Sequence, residues 1–145
     1  MRKIRILIAD NQSTARDAIK ALLFTWSQFE IVGESGDTQS VIAQCAALQP
    51  DLVLMDVRMP LLPEDSKASP DLGGLVATRQ IKEQWPDTCI LALTMYGHYR
   101  EEALAAGADG FLVKGRAPDE LPKAIQDLFD VTLDCGCTFC TCSPQ

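Results

Sequence analysis

The sequence is poor in basic residues, in histidine and in long apolar runs. Its 145 residues include 13 lysines and arginines against 20 aspartates and glutamates, which gives a formal net charge of −7. This balance argues against binding nucleic acid through a broad basic face, because such binding depends on cations that neutralise phosphates. The one histidine, His98, begins a predicted helix and is interpreted as a solvated terminus, not as a metal ligand or a phosphate donor.

Targeting and membrane-spanning patterns are also missing. The apolar residues between Ile4 and Ala9 are interrupted by Arg5 and end at Asp10, which does not fit a secretory signal. No apolar stretch is long enough to span a bilayer. These absences predict a cytoplasmic protein without membrane contact, whose six cysteines are reduced.

The most informative segment of the chain is residues 52–60. Residues 52–55 are all apolar and run directly into Asp56, between Pro50 and Pro60. A short apolar run with such borders is typical of a strand buried on both faces, as inside a parallel sheet. A carboxylate at the carboxyl end of that strand would lie in the crevice where open α/β sheets bind ligands.

Strand patterns alternate with helix patterns along the whole chain. The apolar runs and turn residues predict strands at residues 4–9, 29–34, 52–56, 89–94 and 110–113, and helices near residues 14–26, 38–48, 74–85, 98–106 and 118–129. Alternation of this kind favours a parallel α/β sheet with right-handed crossovers. The predicted fold is a flavodoxin-like (βα)5 doubly wound sheet with strand order 2-1-3-4-5.

Four of the predicted strands end in a polar residue: Asp10, Asp56, Thr94 and Lys114. In the order 2-1-3-4-5 these four strands are neighbours, so their carboxyl ends converge on one crevice. Each residue alone has an ordinary interpretation, as a turn or cap residue for Asp10 and Thr94 and as a solvated cation for Lys114. The conjunction at four adjacent strand ends favours a single functional site.

The chemistry that this set supports is phosphoryl transfer. Two close carboxylates repel one another, and Mg²⁺ (or Mn²⁺) relieves that repulsion while still accepting water and substrate phosphate as ligands. Lys114 offers a positive charge for a phosphoryl oxygen, and Thr94 offers a hydroxyl. A carboxylate can also attack phosphorus, which gives an aspartyl phosphate.

Four segments together resemble the receiver domain of two-component response regulators, of the NarL/FixJ-like subfamily. They are residues 6–11, 55–60, 93–94 and 107–114, and the resemblance extends over roughly residues 3–129. It implies a phosphorelay protein that is a phosphoacceptor and not an enzyme. It also implies a sensor histidine kinase as phosphate donor and a downstream partner.

The resemblance implies a role for each matching position. Asp56 would accept the phosphoryl group from the kinase. The remaining roles fall on the metal ligands Asp10, Asn11, Asp56 and the backbone carbonyl of Arg58, on the phosphoryl-binding residues Thr94 and Lys114, and on the switch aromatic Phe111.

Three features depart from the family pattern. An amide, Asn11, stands where the family has a second acid, which predicts weaker Mg²⁺ binding. Gly115 follows Lys114 where many receivers have proline, so the loop geometry there is expected to differ. Residues 61–73 form a loop longer than the usual roughly two to six residues. They are either a tolerated disordered insertion or a lid beside the phosphoryl site.

The domain is predicted to span residues 1–130, followed by a cysteine-rich, unstructured tail at 131–145. Four cysteines of the tail lie close together: Cys135, Cys137, Cys140 and Cys142. Such a run could bind a soft metal or act as a redox pair. A structural zinc site usually draws on two separated pairs, so an unstructured end is favoured.

The chain is therefore predicted to be a stand-alone receiver that is phosphorylated on Asp56 and so changes a partner-binding face. Because few residues follow the last helix, direct DNA binding by this chain is not expected. The face near Tyr96 and Tyr99 could dock a downstream protein or form a homodimer. Two other functions stay open: a pseudo-receiver that does not use phosphate, which Asn11 favours, and a metal or thiol sensor that acts through the tail.

Overall fold

A computed structural model describes residues 3–63, 72–115 and 117–134, with backbone only for residues 130–134. Five parallel strands form one sheet in the order β2-β1-β3-β4-β5, which confirms the predicted flavodoxin-like arrangement. Helices lie between successive strands. The strands are β1 (Ile4–Ala9), β2 (Phe29–Ser35), β3 (Leu52–Asp56), β4 (Cys89–Thr94) and β5 (Gly110–Val113).

The central strand β3 is buried along its whole length, as its apolar composition predicts. It pairs with β1 on one side and with β4 on the other, so that Val53 lies opposite both Leu7 and Ile90. These three side chains are fully excluded from solvent and belong to the hydrophobic core. Burial of such apolar surface holds the sheet together and fixes the position of the residue at the end of each strand.

Among the described residues of the first compact unit, which ends at Gly115, four α-helices connect or follow the strands. The Asp37 side chain accepts a hydrogen bond of 2.7 Å from the Ser40 amide and so begins the second helix. The predicted fourth helix is shorter than expected, because residues 97–99 form a 3₁₀ turn before it. The helices are α1 (Ser13–Phe24), α2 (Thr38–Leu48), α3 (Gly73–Gln84) and α4 (Arg100–Ala106).

Helix α3 starts against the backbone that leaves β3. The Gly73 amide donates to the Met59 carbonyl at 2.9 Å, and the Gly74 amide donates to the Val57 carbonyl at 3.0 Å. A Cβ atom at Gly74 would lie 2.8 Å from the Val57 Cα, well inside van der Waals contact. Only glycine therefore permits this approach. Gly73, predicted to close the long loop, is instead the first residue of the helix.

The long loop lies partly outside the described residues. Leu61 and Leu62 at its start are exposed. At its far end Leu72 pairs with Met59 in an isolated parallel bridge, so the chain returns close to the point where it leaves. Residues 64–71 are outside the described ranges, and the choice between a tolerated insertion and a lid stays a prediction.

The helix of the second compact unit, α5 (Glu120–Asp134), continues past residue 130, where the sequence predicts the domain to end. Pro122 is its third residue. The first amides of a helix have no acceptor within the helix, so the missing proline N–H breaks no internal bond. The four cysteines of the predicted tail lie outside the described residues. Across the described ranges, no helix combines the length and hydropathy that a membrane span requires.

Candidate functional site

The predicted polar residues meet at the carboxyl edge of the sheet. Asp10 follows β1, Asp56 ends β3, Thr94 ends β4 and Lys114 follows β5, and these four strands are neighbours. The solvent-exposed fraction is 1% for Asp10, 7% for Asp56 and 1% for Thr94. Parallel strand order therefore places two carboxylates and a hydroxyl in one buried cluster.

The Lys114 ammonium joins the two carboxylates. Its Nζ atom bonds to Oδ2 of Asp10 and lies 3.6 Å from Oδ2 of Asp56. The Lys114 amide donates to the Thr94 carbonyl at 2.8 Å, which holds the end of β5 beside the end of β4. A positive charge is thus fixed beside both acids, in the position that would attract the oxygens of an incoming phosphoryl group.

The Asp56 carboxyl has an unusual protonation equilibrium. Burial, followed by the negative charge of Asp10, raises its pKa to about 7, although Lys114 and the Arg58 amide act in the opposite direction. The Arg58 amide donates to Oδ1 of Asp56 at 3.3 Å. A buried carboxyl that is disfavoured as an anion gains from a nearby cation, because the cation stabilises its charged form.

Asp10 is held through four of its atoms. Its amide donates to the Ser35 carbonyl at 2.9 Å, and its carbonyl accepts from Nη1 of Arg16 at 2.6 Å. Its Oδ1 accepts from the Gln12 amide at 3.0 Å, while Oδ2 bonds to Lys114. So many contacts leave Asp10 a single orientation at the base of the cluster.

A cavity of about 290 Å³ opens over the cluster. It is large enough for a phosphoryl group with several waters. Gln12 and Met95 were not predicted as site residues, although each directly follows one that was. The lining residues are Asn11, Gln12, Asp56, Arg58, Thr94, Met95, Tyr96 and Lys114.

Arg58 contributes a side chain as well as the predicted backbone carbonyl. Its guanidinium carbon lies 5.1 Å from the centre of the Tyr96 ring, a cation–π distance, and both side chains line the cavity. The Tyr96 amide donates to Oγ1 of Thr94 at 3.2 Å. The mouth of the cavity is therefore linked directly to the buried hydroxyl.

Phe111, the predicted switch residue, does not line the cavity. It lies opposite Ala92 in the β4–β5 pairing and packs half-buried against the hydrophobic core. Its switching role stays a prediction. Gly115, two residues after β5, has a φ of 82°, which proline cannot adopt because its ring holds φ near about −65°.

The donor set is suited to a hard divalent cation. Asp10 and Asp56 supply carboxylate oxygens and Asn11 an amide oxygen, and Mg²⁺ is usually held by one or two carboxylates together with phosphate and water. Burial and, after it, repulsion from Asp10 raise the Asp56 pKa, and such a cation would act against both because it stabilises the charged form. Within the described ranges, no group of three or more His, Cys, Asp or Glu residues forms a metal cluster, so a zinc-type site is not indicated there.

Comparison with known proteins adds a family context to this geometry. Residues 6–126 match the response regulator receiver domain family. YxjL of Bacillus subtilis, an uncharacterised transcriptional regulatory protein, is 33% identical over 126 residues, which are 86% of this chain and 53% of YxjL. The response regulator protein VraR of Staphylococcus aureus is 33% identical over 125 residues, covering 85% of this chain and 55% of VraR.

Solved structures agree with the fold. A LuxR-family two-component response regulator from Aurantimonas sp. SI85-9A1 has a TM-score of 0.78 and 27% identity, covering 89% of this chain and 86% of that one. The isolated REC domain of RcsB from Salmonella enterica serovar Typhimurium, with the phosphomimetic BeF3−, has a TM-score of 0.75 and 25% identity, covering 89% of this chain and 90% of that one.

One expectation about partners is wrong. Absence of direct DNA binding was inferred from the few residues after the last helix, but this chain spans only about half the length of the curated relatives it matches. Salmonella typhimurium RcsB, 26% identical with a TM-score of 0.76, is described for its conformational dynamism in DNA interaction, and this chain covers only 62% of it. The position of the chain end is therefore no argument against DNA binding.

Proposed function

Because this chain belongs to the response regulator receiver family of two-component signalling, we propose that Asp56 is the residue that accepts the phosphoryl group here. The observation that carries this assignment is the position of Asp56. Its carboxylate is buried at the base of a cavity, 3.6 Å from the Lys114 ammonium and beside Asp10. No other acid among the described residues lines that cavity.

The reaction is an attack of an Asp56 carboxylate oxygen on phosphorus. A new oxygen–phosphorus bond forms while the bond between phosphorus and the donor atom breaks, and the electron pair of the broken bond leaves with the donor. For a phosphohistidine donor the leaving group is an imidazole, which takes a proton from solvent. Lys114 and the Thr94 hydroxyl donate to the phosphoryl oxygens and stabilise the charge that develops on them.

Mg²⁺, when bound, neutralises negative charge on the acids and on the transferred group. We propose that Asp10, Asn11, Asp56 and the Arg58 carbonyl hold it, with Mn²⁺ as a substitute. Two carboxylates and one amide give this set one negative charge fewer than a set with three carboxylates would have. Mg²⁺ binding should therefore be weak enough to depend on how well these oxygens are positioned.

The proposed donor is a sensor histidine kinase in the cytoplasm. The domain modifies its own side chain, so we describe it as a phosphoacceptor and not as an enzyme. The support is the family match together with a site that holds a nucleophile, Asp56, beside a charge-stabilising lysine, Lys114.

Output would begin at Thr94. Its hydroxyl can donate to a phosphoryl oxygen while Oγ1 still accepts from the Tyr96 amide, so phosphorylation would pull on the segment that carries Tyr96. Tyr96 is 44% exposed and its ring lies 6.3 Å, edge to face, from that of Tyr99. We propose that this surface meets the downstream partner or a second copy of the chain. We also propose that the chain serves a transcriptional regulator, as the description of YxjL suggests.

The test is an intact-mass measurement after incubation with Mg²⁺ and phosphoramidate or acetyl phosphate. The wild type is expected to gain one phosphoryl group and Asp56→Asn none. Asp87→Asn, which alters an exposed acid outside the cavity, is the matched control and should behave as the wild type. A phosphoryl group gained by Asp56→Asn would mean that another residue is the acceptor. No gain by a wild type with native circular dichroism would favour the pseudo-receiver.

A further inference from the structure

We propose that Arg16 is a positioning residue for the metal-binding oxygens of Asp10 and Asn11, and that Glu34 holds it in place. The inference rests on the proposed function insofar as Asp10 and Asn11 bind Mg²⁺. It concerns a side chain of α1 that does not line the cavity and that the sequence pattern does not single out.

Arg16 binds the backbone between the two proposed ligands, Asp10 and Asn11. Its Nη1 atom donates to the Asp10 carbonyl at 2.6 Å. That carbonyl belongs to the planar peptide that joins Asp10 to Asn11, so a bond to its oxygen fixes the orientation of the whole peptide plane. The Cα atoms of Asp10 and Asn11 lie at the two ends of this plane, so the directions in which their side chains leave the backbone depend on its orientation.

The guanidinium is itself anchored to the sheet. Its Nε atom donates to Oε1 of Glu34 at 2.9 Å, and Glu34 lies in β2, opposite Ile8 of β1. The Glu34 carbonyl accepts from Nε2 of Gln44 at 2.6 Å. A planar guanidinium with one edge on a strand carboxylate and another on a backbone oxygen has little freedom, because its donors are arranged in a rigid fork.

An ordinary surface ion pair does not explain this arrangement. Glu34 already has a second cation, since Nζ of Lys20 lies 2.6 Å from its Oε2. The Arg16 side chain is only 22% exposed, against 38% for Lys20. Of these two cations, Arg16 alone touches Asp10, and this contact is what the proposal concerns.

The other contacts of Asp10 hold its amide and its carboxylate but not its carbonyl. Ser35 holds the Asp10 amide, while Gln12 and Lys114 hold its carboxylate. Among the residues that the structure describes, Arg16 alone donates to its carbonyl, the group nearest to Asn11. Loss of groups that orient metal ligands commonly weakens metal binding about 10–100-fold. Because the other contacts of Asp10 persist, we expect loss of the Arg16 contact to weaken Mg²⁺ binding by the low end of this range, about tenfold.

The experiment compares Arg16→Ala, Arg16→Lys and the matched control Lys20→Ala with the wild type. Isothermal titration calorimetry measures the Mg²⁺ dissociation constant of each protein. Nuclear magnetic resonance without metal measures the Gln12 amide proton, whose bond to Oδ1 of Asp10 should weaken when the peptide plane is released. Thermal unfolding reports whether each variant is folded, and if Arg16→Ala is not, Arg16→Lys carries the test.

Arg16→Ala and Arg16→Lys are both expected to raise the Mg²⁺ dissociation constant about tenfold and to shift the Gln12 amide resonance. The single ammonium group of a lysine cannot replace both edges of the Arg16 guanidinium, one of which binds Glu34 and the other the Asp10 carbonyl. Lys20→Ala should stay within about twofold of the wild type, because it removes an ion pair of Glu34 but no contact to Asp10.

Wild-type affinity in Arg16→Lys would show that charge alone suffices and would overturn the proposal, as would equal effects of Arg16→Ala and Lys20→Ala. A wild type that binds no Mg²⁺ would overturn it too. A wild type that binds Mg²⁺ but takes no phosphoryl group would refute the proposed function. The comparison of the Arg16 variants would still decide the positioning role.

Discussion

Replacement of Gly74 by alanine tests whether the start of α3 sets the position of Asp56. A Cβ at this position would lie 2.8 Å from both the carbonyl carbon of Asp56 and the Cα of Val57, and closer still to the Asp56 carbonyl oxygen. These carbon–carbon distances are about 0.6 Å short of ordinary van der Waals contact, which begins at 3.4 Å. Either the helix or the end of β3 must therefore move.

The steric cost should exceed the usual benefit of alanine in a helix. Alanine is favoured over glycine by about 0.8–1 kcal/mol in a helix interior, whereas overpacking of a tight site costs about 1–3 kcal/mol. The helix start has little freedom to retreat, because the Gly73 amide is bonded to the Met59 carbonyl and the Gly74 amide to the Val57 carbonyl. We expect a net loss of up to about 2 kcal/mol in the free energy of unfolding.

The same displacement should damage the site. A shift of Asp56 by a fraction of an ångström changes its distance from Lys114, now 3.6 Å, and misplacement of reacting groups by about 1 Å can cost about 100-fold in rate. We expect the rate of phosphorylation by phosphoramidate to fall about tenfold or more. Urea unfolding and the time course of intact mass measure the two effects.

The matched control is Gly97→Ala. Among the described residues, a Cβ at Gly97 would meet Cγ2 of Val113 alone, at 3.6 Å, an ordinary contact. This variant should keep the wild-type rate and gain up to about 1 kcal/mol, because alanine has fewer unfolded conformations to lose. Wild-type stability and rate in Gly74→Ala would refute the reasoning, since they would mean that α3 can move without carrying Asp56 with it.

Three other predictions concern charge and thiol chemistry. Asn11→Asp should bind Mg²⁺ more tightly by calorimetry, because it adds a carboxylate to the donor set, and unchanged affinity would contradict the weak-site interpretation. Burial raises the thiol pKa of Cys45 to about 12 and that of Cys89, with a smaller contribution from nearby acids, to about 11. Peptide mass spectrometry after brief alkylation near neutral pH should therefore find both far less modified than in urea, and equal labelling would contradict this. Bonds from Lys20 lower the pKa of the Glu34 carboxyl, so its stabilising effect is present above the unfolded pKa and is lost as pH falls through the folded one. Glu34→Gln should lose about 0–1 kcal/mol at neutral pH, and the difference from wild type in urea unfolding should vanish in acid; a difference that persists at low pH would refute an electrostatic origin.

The strands and their order could be predicted because their signals are local. Residues 52–56 are apolar up to an acid, and the same pattern of an apolar run followed by a polar residue recurs at Asp10, Thr94 and Lys114. The structure brings these residues together because parallel strands align their carboxyl ends. Periodicity is less exact at helix ends, which explains why the helix predicted from residue 98 takes in part of the 3₁₀ turn at residues 97–99.

Contacts that arise only when the elements pack together left no signal in the sequence. Nothing in the spacing of residues indicates that Arg16 reaches the Asp10 carbonyl or that the Arg58 guanidinium lies over the Tyr96 ring. The glycine pair at residues 73–74 reads as part of a loop or a helix start, and the need for glycine becomes visible only beside the Asp56 backbone. Such contacts are products of packing, and single-sequence patterns do not record them.

The site is therefore held from two sides by different means. Asp56 is positioned by β3 and by the close approach of Gly74, while Asp10 is positioned by Arg16, whose anchor lies in β2. Lys114 bonds to Asp10 and lies near Asp56. A displacement of either acid would therefore shift the shared ammonium and change the electrostatic environment of the other acid. A phosphoryl group attached to Asp56 would compete for the same ammonium and release part of its hold on Asp10. Loss of that contact, together with the pull on Thr94, would connect phosphorylation to both β1 and the Tyr96 segment at the mouth of the cavity.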